Sequence, residues 1–286
     1  MKSICFFNHY HNGDLFHSKG FVKDIISSID TKFYYAHSMS PIVLSDLNVE
    51  HINSPNISIF TKFENTDDTV YVNTWIGCYD NPDKCACTLN FNYKIYGEIY
   101  EYLNKCFSSN LKLKSIENYF PSIDYSKFNC SNVDFFVESA PQQKVLFCNG
   151  PCLSGQSSYT GDMSTIIESC AIKFPEKVFI ATYKFATQLK NIKFTDDIIR
   201  LNKCDLNEIS YLSKFCDLIV GRNSGPFCFC TVDENINNPK KIFYAFGERE
   251  THCFYHDVDI KSTFIFENTD DLNVVEISLL ELIEKI

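Results

Sequence analysis

The sequence predicts an α/β protein that consists of two Rossmann-like domains. The chain has 286 residues, a length that suits two domains of about 140 residues each better than one hydrophobic core. From residue 144 onward, short apolar runs alternate with segments of helical periodicity, which is the order of a parallel sheet covered by helices on both faces. The first half begins in the same way, because the apolar residues 3–8 precede an amphipathic segment.

The composition excludes several classes of protein. Hydrophobic residues make up 45% and charged residues 22% of the chain, so it can bury cores and is not disordered. The net charge is −10, whereas a nucleic-acid interface needs a basic surface. Arginine occurs only at positions 200, 222 and 249, and each of these is therefore a candidate for local anion binding.

The sequence favours a cytoplasmic protein without a metal or cofactor. The apolar N-terminal run is too short for a signal peptide, and no segment reaches the ~18 apolar residues of a membrane span. The 14 cysteines lack the spacing of a disulfide scaffold, so we expect reduced and mostly buried thiols. Pairs such as Cys85 and Cys87 lack the spacing of a structural zinc site. The metal-binding pattern Asp-x-Asp occurs at residues 257–259, but three-residue matches are frequent by chance.

In the first half, the helices and strands are predicted from the spacing of apolar residues and from the Asn and Ser-Pro residues that separate the apolar runs. A strand over 3–8 leads through a polar loop into a helix that begins near Asp14. We predict further strands over 33–36, 42–44, 57–60 and 70–73 and a helix over 90–107. The polar stretch that follows ends at Pro141-Gln142-Gln143, where we place the domain boundary, giving domains 1–141 and 142–286.

The second half alternates more regularly. We predict strands over 144–148, 178–182, 198–201, 218–221 and 242–246, and helices over 163–173, 206–215, 226–232 and 274–286. Parallel strands place their carboxyl ends at one edge of a sheet, and ligands bind outside that edge. The loops that follow these strands therefore contain the candidate binding residues.

The strongest candidate is the small polar turn over residues 222–226. Pro226 favours a first helical turn, and Ser224 is suited to cap it. Such a turn directs backbone N–H groups and a helix dipole at one point, which suits a diphosphate. Arg222 stands beside it and can pair with two phosphate oxygens. An ordinary strand–helix turn with Ser224 as a cap explains the same residues.

Two other loops of the second half are weaker candidates. Residues 149–158 are rich in small residues and hydroxyls, with Ser154 and Gly155 as predicted ligand contacts. Residues 247–252 contain Arg249, a second candidate for the phosphates. A flexible connector and a solvated run of charges are the alternative explanations.

The first half offers a carboxylate at its first strand–helix connection. Gly13 permits a tight backbone, and Asp14 is placed to take a proton from an attacking hydroxyl, although a simple helix cap explains it as well. His11 and His17 lie close by in sequence and are candidates for orienting an acceptor or assisting proton transfer, although a surface or hydrogen-bonded histidine is the simpler explanation for either. Trp75 can stack on a sugar ring, and a buried core position is the simpler alternative.

Two of these motifs resemble those of heptosyltransferase-like glycosyltransferases. The segment that begins Gly13-Asp14 is similar to the Gly-Asp-x-x-x-Ser/Thr entry of that family, and CDLIVGRNSGP at residues 216–226 is similar to its donor-site signature. The resemblance implies the GT-B fold, in which two Rossmann-like domains face each other across a cleft. It also implies that Asp14 is the catalytic base.

The same resemblance implies that Asn223, Ser224 and Gly225 bind the diphosphate of the donor. Asn223 and Cys228 stand where the family often has Asp and His, so the sugar and the acceptor stay open.

The resemblance predicts an inverting, metal-independent glycosyltransferase of the hexosyl or heptosyl type. The expected partners are a nucleotide sugar as donor and a carbohydrate or glycoconjugate as acceptor. The alternatives are a non-catalytic nucleotide-sugar-binding protein with this fold, a fucosyltransferase-like enzyme, and a different enzyme class such as a sugar-nucleotide epimerase or a hydrolase. A dinucleotide oxidoreductase is disfavoured, because no Gly-x-Gly-x-x-Gly follows the first strand.

Overall fold

The chain forms two compact units. The computed structural model describes residues 2–9, 11–37, 41–53, 56–79, 88–150, 162–201, 204–222, 224–247, 254–255 and 258–286. The first unit comprises Met1–Ile123 and Thr251–Asp259, and the second comprises Asp124–Glu250 and Ile260–Ile286. Each unit has its own parallel or mostly parallel sheet with helices, which confirms the predicted α/β fold with two Rossmann-like units.

The described part of the first unit contains a five-stranded sheet in the order β3-β2-β1-β5-β4. β1 pairs in parallel with β2 and β5, and β4 pairs antiparallel with β5. Every residue of β1 is buried, as expected for a central strand covered on both faces. The strands are β1 (Ser3–Asn8), β2 (Phe33–His37), β3 (Glu50–Ile52), β4 (Phe63–Asn65) and β5 (Thr69–Asn73).

Two long helices accompany this sheet, α1 (Asn12–Ser28) and α2 (Leu89–Phe107). The ring of Phe21 in α1 is stacked between those of Tyr96 and Tyr119, at centroid distances of 4.1 and 4.2 Å. Gly20 permits this close packing, because a Cβ there would lie 2.3 Å from the carbonyl oxygen of Tyr119. The helix that follows β1 is thus held firmly by aromatic contacts.

The described part of the second unit contains a six-stranded, fully parallel sheet in the order β11-β10-β9-β6-β7-β8. Numbered within the unit, this is the Rossmann order 3-2-1-4-5-6. The strands are β6 (Lys144–Cys148), β7 (Val178–Ala181), β8 (Ile192–Phe194), β9 (Leu218–Gly221), β10 (Ile242–Phe246) and β11 (Thr263–Glu267). The helices are α3 (Ser131–Ser139), α4 (Ser164–Lys173), α5 (Thr195–Ile199), α6 (Leu206–Ser213), α7 (Gly225–Cys230), α8 (Asp233–Ile236) and α9 (Leu272–Glu284).

Each sheet has a point at which the order of its strands reverses. In the first unit the reversal lies between β1 and β5, and in the second it lies between β6 and β9. Loops that follow two such neighbouring strands diverge and leave a crevice at their carboxyl ends, where ligands bind in open α/β sheets. The two reversal points therefore define where a site is to be sought in each unit.

Several predicted strands are wrong. Residues 42–44 lie in a 3₁₀ turn over Pro41–Leu44, and residues 57–60 form an irregular segment that ends in a turn at 59–60. Residues 198–199 lie in helix α5, whose first turn carries Asp196 and Asp197. Acidic residues stabilise the amino end of a helix, and this signal outweighs the short apolar run that suggested a strand.

The division between the units also differs from the predicted boundary at residue 141. The chain passes into the second unit at Asp124. Residues that follow are tied to that unit by side chains: the Tyr125 and Ser210 hydroxyls lie 2.9 Å apart, and the Asn132 amide donates to the Ile199 carbonyl at 3.0 Å. These contacts are remote in sequence, so the polar composition around residue 141 gave no indication of them.

No helix in the described ranges combines the length and the apolar character that crossing a membrane requires.

Candidate functional site

Asp14 lies at the reversal point of the first sheet, in the first turn of α1. The helix begins at Asn12 after the N-cap residue His11, whose side chain makes no capping hydrogen bond. The Asp14 side chain is only partly exposed. Burial raises its pKa to about 6, although the His11 charge and hydrogen bonds to the backbone N–H groups of His11 and Asp14 oppose the shift. Asp14 is therefore mostly ionised at neutral pH and more basic than an ordinary carboxylate.

The predicted neighbours of Asp14 differ in their exposure. His11 is exposed, and Gly13 lies in the first turn of α1 beside it. His17 is only 6% exposed, and its ring stacks on that of Phe254 at 3.9 Å with an interplanar angle of 9°. Burial lowers the His17 pKa to about 3, so the ring is neutral. The stacking on Phe254 and the low exposure favour a packing role for His17, and its role in orienting an acceptor stays a prediction.

A buried network of hydroxyl groups lies behind the first turn of α1. The Tyr35 hydroxyl is 2.6 Å from Thr74 Oγ1 and 3.3 Å from Ser18 Oγ. The Thr74 backbone N–H donates to the carbonyl of Phe7 at 2.9 Å. Burial raises the Tyr35 pKa to about 12, so this hydroxyl stays protonated. The network joins α1, β2 and the end of β5 and fixes the helix that carries Asp14.

Trp75 follows β5 by two residues and is partly exposed, so it does not fill a buried core position. Its backbone N–H donates to the Asn73 side-chain oxygen at 2.9 Å. Because β5 neighbours β1 in the sheet, Trp75 and Asp14 follow adjacent parallel strands and lie at the same edge.

The reversal point of the second sheet lies where β6 and β9 end. Gly221 closes β9, and a Cβ there would lie 2.9 Å from the Cβ of Cys148 at the end of β6. Ser224 occupies the N-cap of α7 and is 9% exposed, but its hydroxyl makes no capping bond and has no hydrogen-bond partner. The predicted capping role is therefore corrected, and a buried hydroxyl is left available to a ligand. Gly225 leaves space, since the nearest atoms to a Cβ there would lie 3.9 Å away.

Contacts with Phe246 and Asp270 help to hold Arg222 beside this turn. Its guanidinium lies over the Phe246 ring at 5.0 Å from the centroid and 3.5 Å from an oxygen of Asp270. The Arg222 side chain is 11% exposed, and the Asp270 side chain is 18% exposed. Neither carboxylate oxygen of Asp270 accepts a hydrogen bond. Sequence analysis did not single out Asp270, because its pairing with Arg222 spans two different loops.

The other predicted donor contacts lie outside the described residues: Asn223, Ser154, Gly155 and Arg249. Asn149, which begins the loop after β6, binds both backbone groups of Tyr183 at 2.8 and 2.9 Å and so joins the ends of β6 and β7. It has a structural role at this edge.

Within the described ranges no group of three or more His, Cys, Asp or Glu side chains is placed to hold a metal ion. The Asp-x-Asp pattern at residues 257–259 begins at Asp257, which lies outside those ranges.

Neither a protein-family model nor a curated protein matches the sequence. Several solved structures, in contrast, are similar to the chain. The chain is similar to E. coli heptosyltransferase WaaC with ADP-2-deoxy-2-fluoro heptose, with a TM-score of 0.55 and 8% identity over 99% of both chains. It is also similar to a family 9 glycosyl transferase from Veillonella parvula (TM-score 0.49, 12% identity, 97% of this chain and 90% of that one). The first of these likenesses establishes the architecture: this chain has the fold of a heptosyltransferase, as its two motifs suggested.

Proposed function

We propose that this protein is an inverting, metal-independent glycosyltransferase that moves a sugar from a nucleotide-diphosphate donor to a hydroxyl of a carbohydrate acceptor. The observation that carries the proposal is Asp14, a partly buried carboxylate with a raised pKa at the reversal point of the first sheet. The fold adds support, because the similar WaaC structure contains an ADP-sugar derivative.

The proposed reaction is a single displacement. Asp14 accepts the proton of the acceptor hydroxyl, and the hydroxyl oxygen attacks the anomeric carbon of the donor sugar. The bond between that carbon and the diphosphate oxygen breaks, and the nucleoside diphosphate leaves with the electron pair. One displacement inverts the configuration at the anomeric carbon.

The second unit is proposed to hold the donor. The free hydroxyl of Ser224 and the open backbone at Gly225 suit the diphosphate oxygens, and Arg222 supplies positive charge nearby. Asn223, Ser154, Gly155 and Arg249 are proposed contacts on sequence grounds alone. In this scheme fixed hydrogen-bond donors and an arginine stabilise the leaving group in place of a metal ion.

The proposal is tested in two steps with the purified chain. Thermal shifts with ADP, GDP and UDP identify the nucleotide that is bound, since a ligand that binds the folded state raises the melting temperature. Release of the nucleoside diphosphate from the matching nucleotide sugar, in the presence of EDTA, then measures turnover. Binding with release supports the enzyme. Binding without release in the presence of acceptor glycans identifies a non-catalytic binding protein, and no binding refutes the proposal.

A further inference from the structure

Two aromatic side chains stand at the edge of the first sheet where Asp14 lies. Phe60 is 68% exposed, and Trp75 is partly exposed. Their ring centroids are 6.4 Å apart with an interplanar angle of 57°. β4 runs antiparallel to β5, so a residue that precedes β4 lies at the same edge as one that follows β5. Phe60 and Trp75 therefore form one aromatic pair at the carboxyl end of β5.

The backbone around this pair is held in place by Asn73. Its buried side-chain amide donates to the carbonyls of Ile59 and Thr61, at 2.9 and 3.0 Å, on both sides of Phe60. Its side-chain oxygen accepts the N–H of Trp75. A single buried asparagine thus fixes both segments that carry the rings. Because these segments are already ordered, the protein loses less conformational entropy when a ligand binds to them.

The position of the Trp75 ring is set by a glycine. A Cβ at Gly77 would lie 2.1 Å from Cζ2 of the indole, so the ring occupies space that any other residue would fill. The indole therefore packs beside the Gly77 backbone and is only partly buried. An exposed phenylalanine beside a fixed, partly exposed indole exposes apolar area that folding alone does not explain.

We propose that the Phe60–Trp75 pair is a binding platform for a pyranose ring of the carbohydrate acceptor. The inference rests on the proposed function, because it assigns the acceptor subsite of the same reaction. Aromatic faces pair with the apolar C–H face of a sugar ring, while the hydroxyls at its rim stay in water or meet polar groups. Asn73 pairs with Phe7 across the sheet, and Asp14 follows the strand of Phe7. The platform and the proposed base therefore adjoin the same reversal point.

The single tryptophan of the chain makes this proposal directly measurable, because Trp75 provides all of the tryptophan fluorescence. The full-length protein is first screened on an array of bacterial and animal glycans, and the strongest soluble glycan is then titrated while the Trp75 emission is recorded. We expect retention of pyranose-containing glycans and a saturable change in emission. Phe60→Ala is expected to weaken binding about tenfold by removing apolar contact area.

A matched control distinguishes the platform from general surface stickiness. Phe135 is 72% exposed and lies in the second unit, and Phe135→Ala should leave glycan binding unchanged. The proposal is overturned if no glycan is retained, if Trp75 emission does not respond, or if Phe60→Ala and Phe135→Ala bind equally well. Nucleotide binding and donor hydrolysis are measured on the same variants. If Phe60→Ala loses glycan binding but retains nucleotide binding and donor hydrolysis, the loss is assigned to the platform alone. If the wild-type protein shows neither nucleotide binding nor donor hydrolysis, the proposed function is refuted.

Discussion

The two sheet-reversal points have similar topology and different chemistry. At the first, the polar groups behind Asp14 are joined through Tyr35, Thr74 and Ser18, and one carboxylate has a raised pKa. At the second, the Ser224 hydroxyl has no hydrogen-bond partner among the described residues, and an Asp270 oxygen lies 3.5 Å from the Arg222 guanidinium. Buried polar groups without partners are costly. In the proposed reaction the first point is therefore preorganised for proton transfer, whereas the second gains hydrogen bonds when the diphosphate of the donor binds.

The largest expected effect is on the chemical step. Asp14→Asn removes the proposed base while keeping the shape of the side chain, so turnover should fall by about 10²- to 10⁴-fold. The affinity for the nucleotide diphosphate should stay nearly unchanged, because the donor is proposed to bind the other unit. Diphosphate release and nucleotide titration check the two parts separately. Asp30→Asn, an exposed change just beyond α1, is the control, and full turnover in Asp14→Asn would remove Asp14 from catalysis.

The next effect in size concerns the donor. Arg222→Ala deletes the proposed partner of the phosphates, and the Kd for the nucleoside diphosphate should rise by about 10- to 100-fold, as expected for charged hydrogen bonds. Isothermal titration calorimetry with the nucleoside diphosphate measures this Kd. The double variant Arg222→Ala with Asp270→Asn also removes the guanidinium, but it does not leave a buried carboxylate without its partner. An unchanged Kd in that double variant would exclude Arg222 from the donor site.

A smaller effect of opposite sign is expected at Asp270. This carboxylate competes with the donor for Arg222 and adds negative charge beside the proposed diphosphate site. Asp270→Asn should therefore lower the nucleotide Kd by about three- to tenfold. The gain should disappear when Arg222 is absent, which a double-mutant cycle reveals. Weaker binding in Asp270→Asn would instead show that the ion pair is needed to orient Arg222.

Sequence alone predicted the parts of the fold that depend on local pattern. β1, β6, β9 and α2 were placed within about two residues, because their apolar runs are long or strongly periodic. The strands β3, β4, β8 and β11 were missed. All four are edge strands of the two sheets. The first three have only three residues each, and none of the four is buried throughout, so each depends on pairing with its neighbour. Pairing partners are distant in sequence and leave no local signal.

In the candidate site, too, residues with a local sequence signal were predicted, and contacts between distant residues were not. Asp14 and the 222–226 turn were found because they follow buried strands, where ligands bind in parallel sheets. The partners that change their interpretation were not found. Phe254 covers His17, and Asp270 pairs with Arg222, yet each lies far along the chain from the residue that it contacts. The exposure of Phe60 likewise depends on Asn73, which reaches back to the loop before β4.

The last prediction concerns stability and tests whether the Asp14 carboxylate destabilises the folded chain. The Asp14 pKa is raised in the folded chain from 3.8 to about 6, so the charged form destabilises the fold. This cost is absent below the unfolded pKa, grows as the pH rises toward 6, and is complete above it. Asp14→Asn should therefore stabilise the protein at pH 7.5, by about 1–2 kcal/mol after allowance for partial exposure.

At pH 5 the gain should be roughly half as large, because Asp14 is then protonated in the folded state and mostly ionised in the unfolded one. Urea unfolding at both pH values measures the difference, with Asp30→Asn as the unaffected reference. A variant that loses turnover and gains stability would match a strained catalytic carboxylate. A variant that loses both would indicate that Asp14 serves mainly to stabilise the start of α1, since its carboxylate accepts the N–H of His11 at the amino end of that helix.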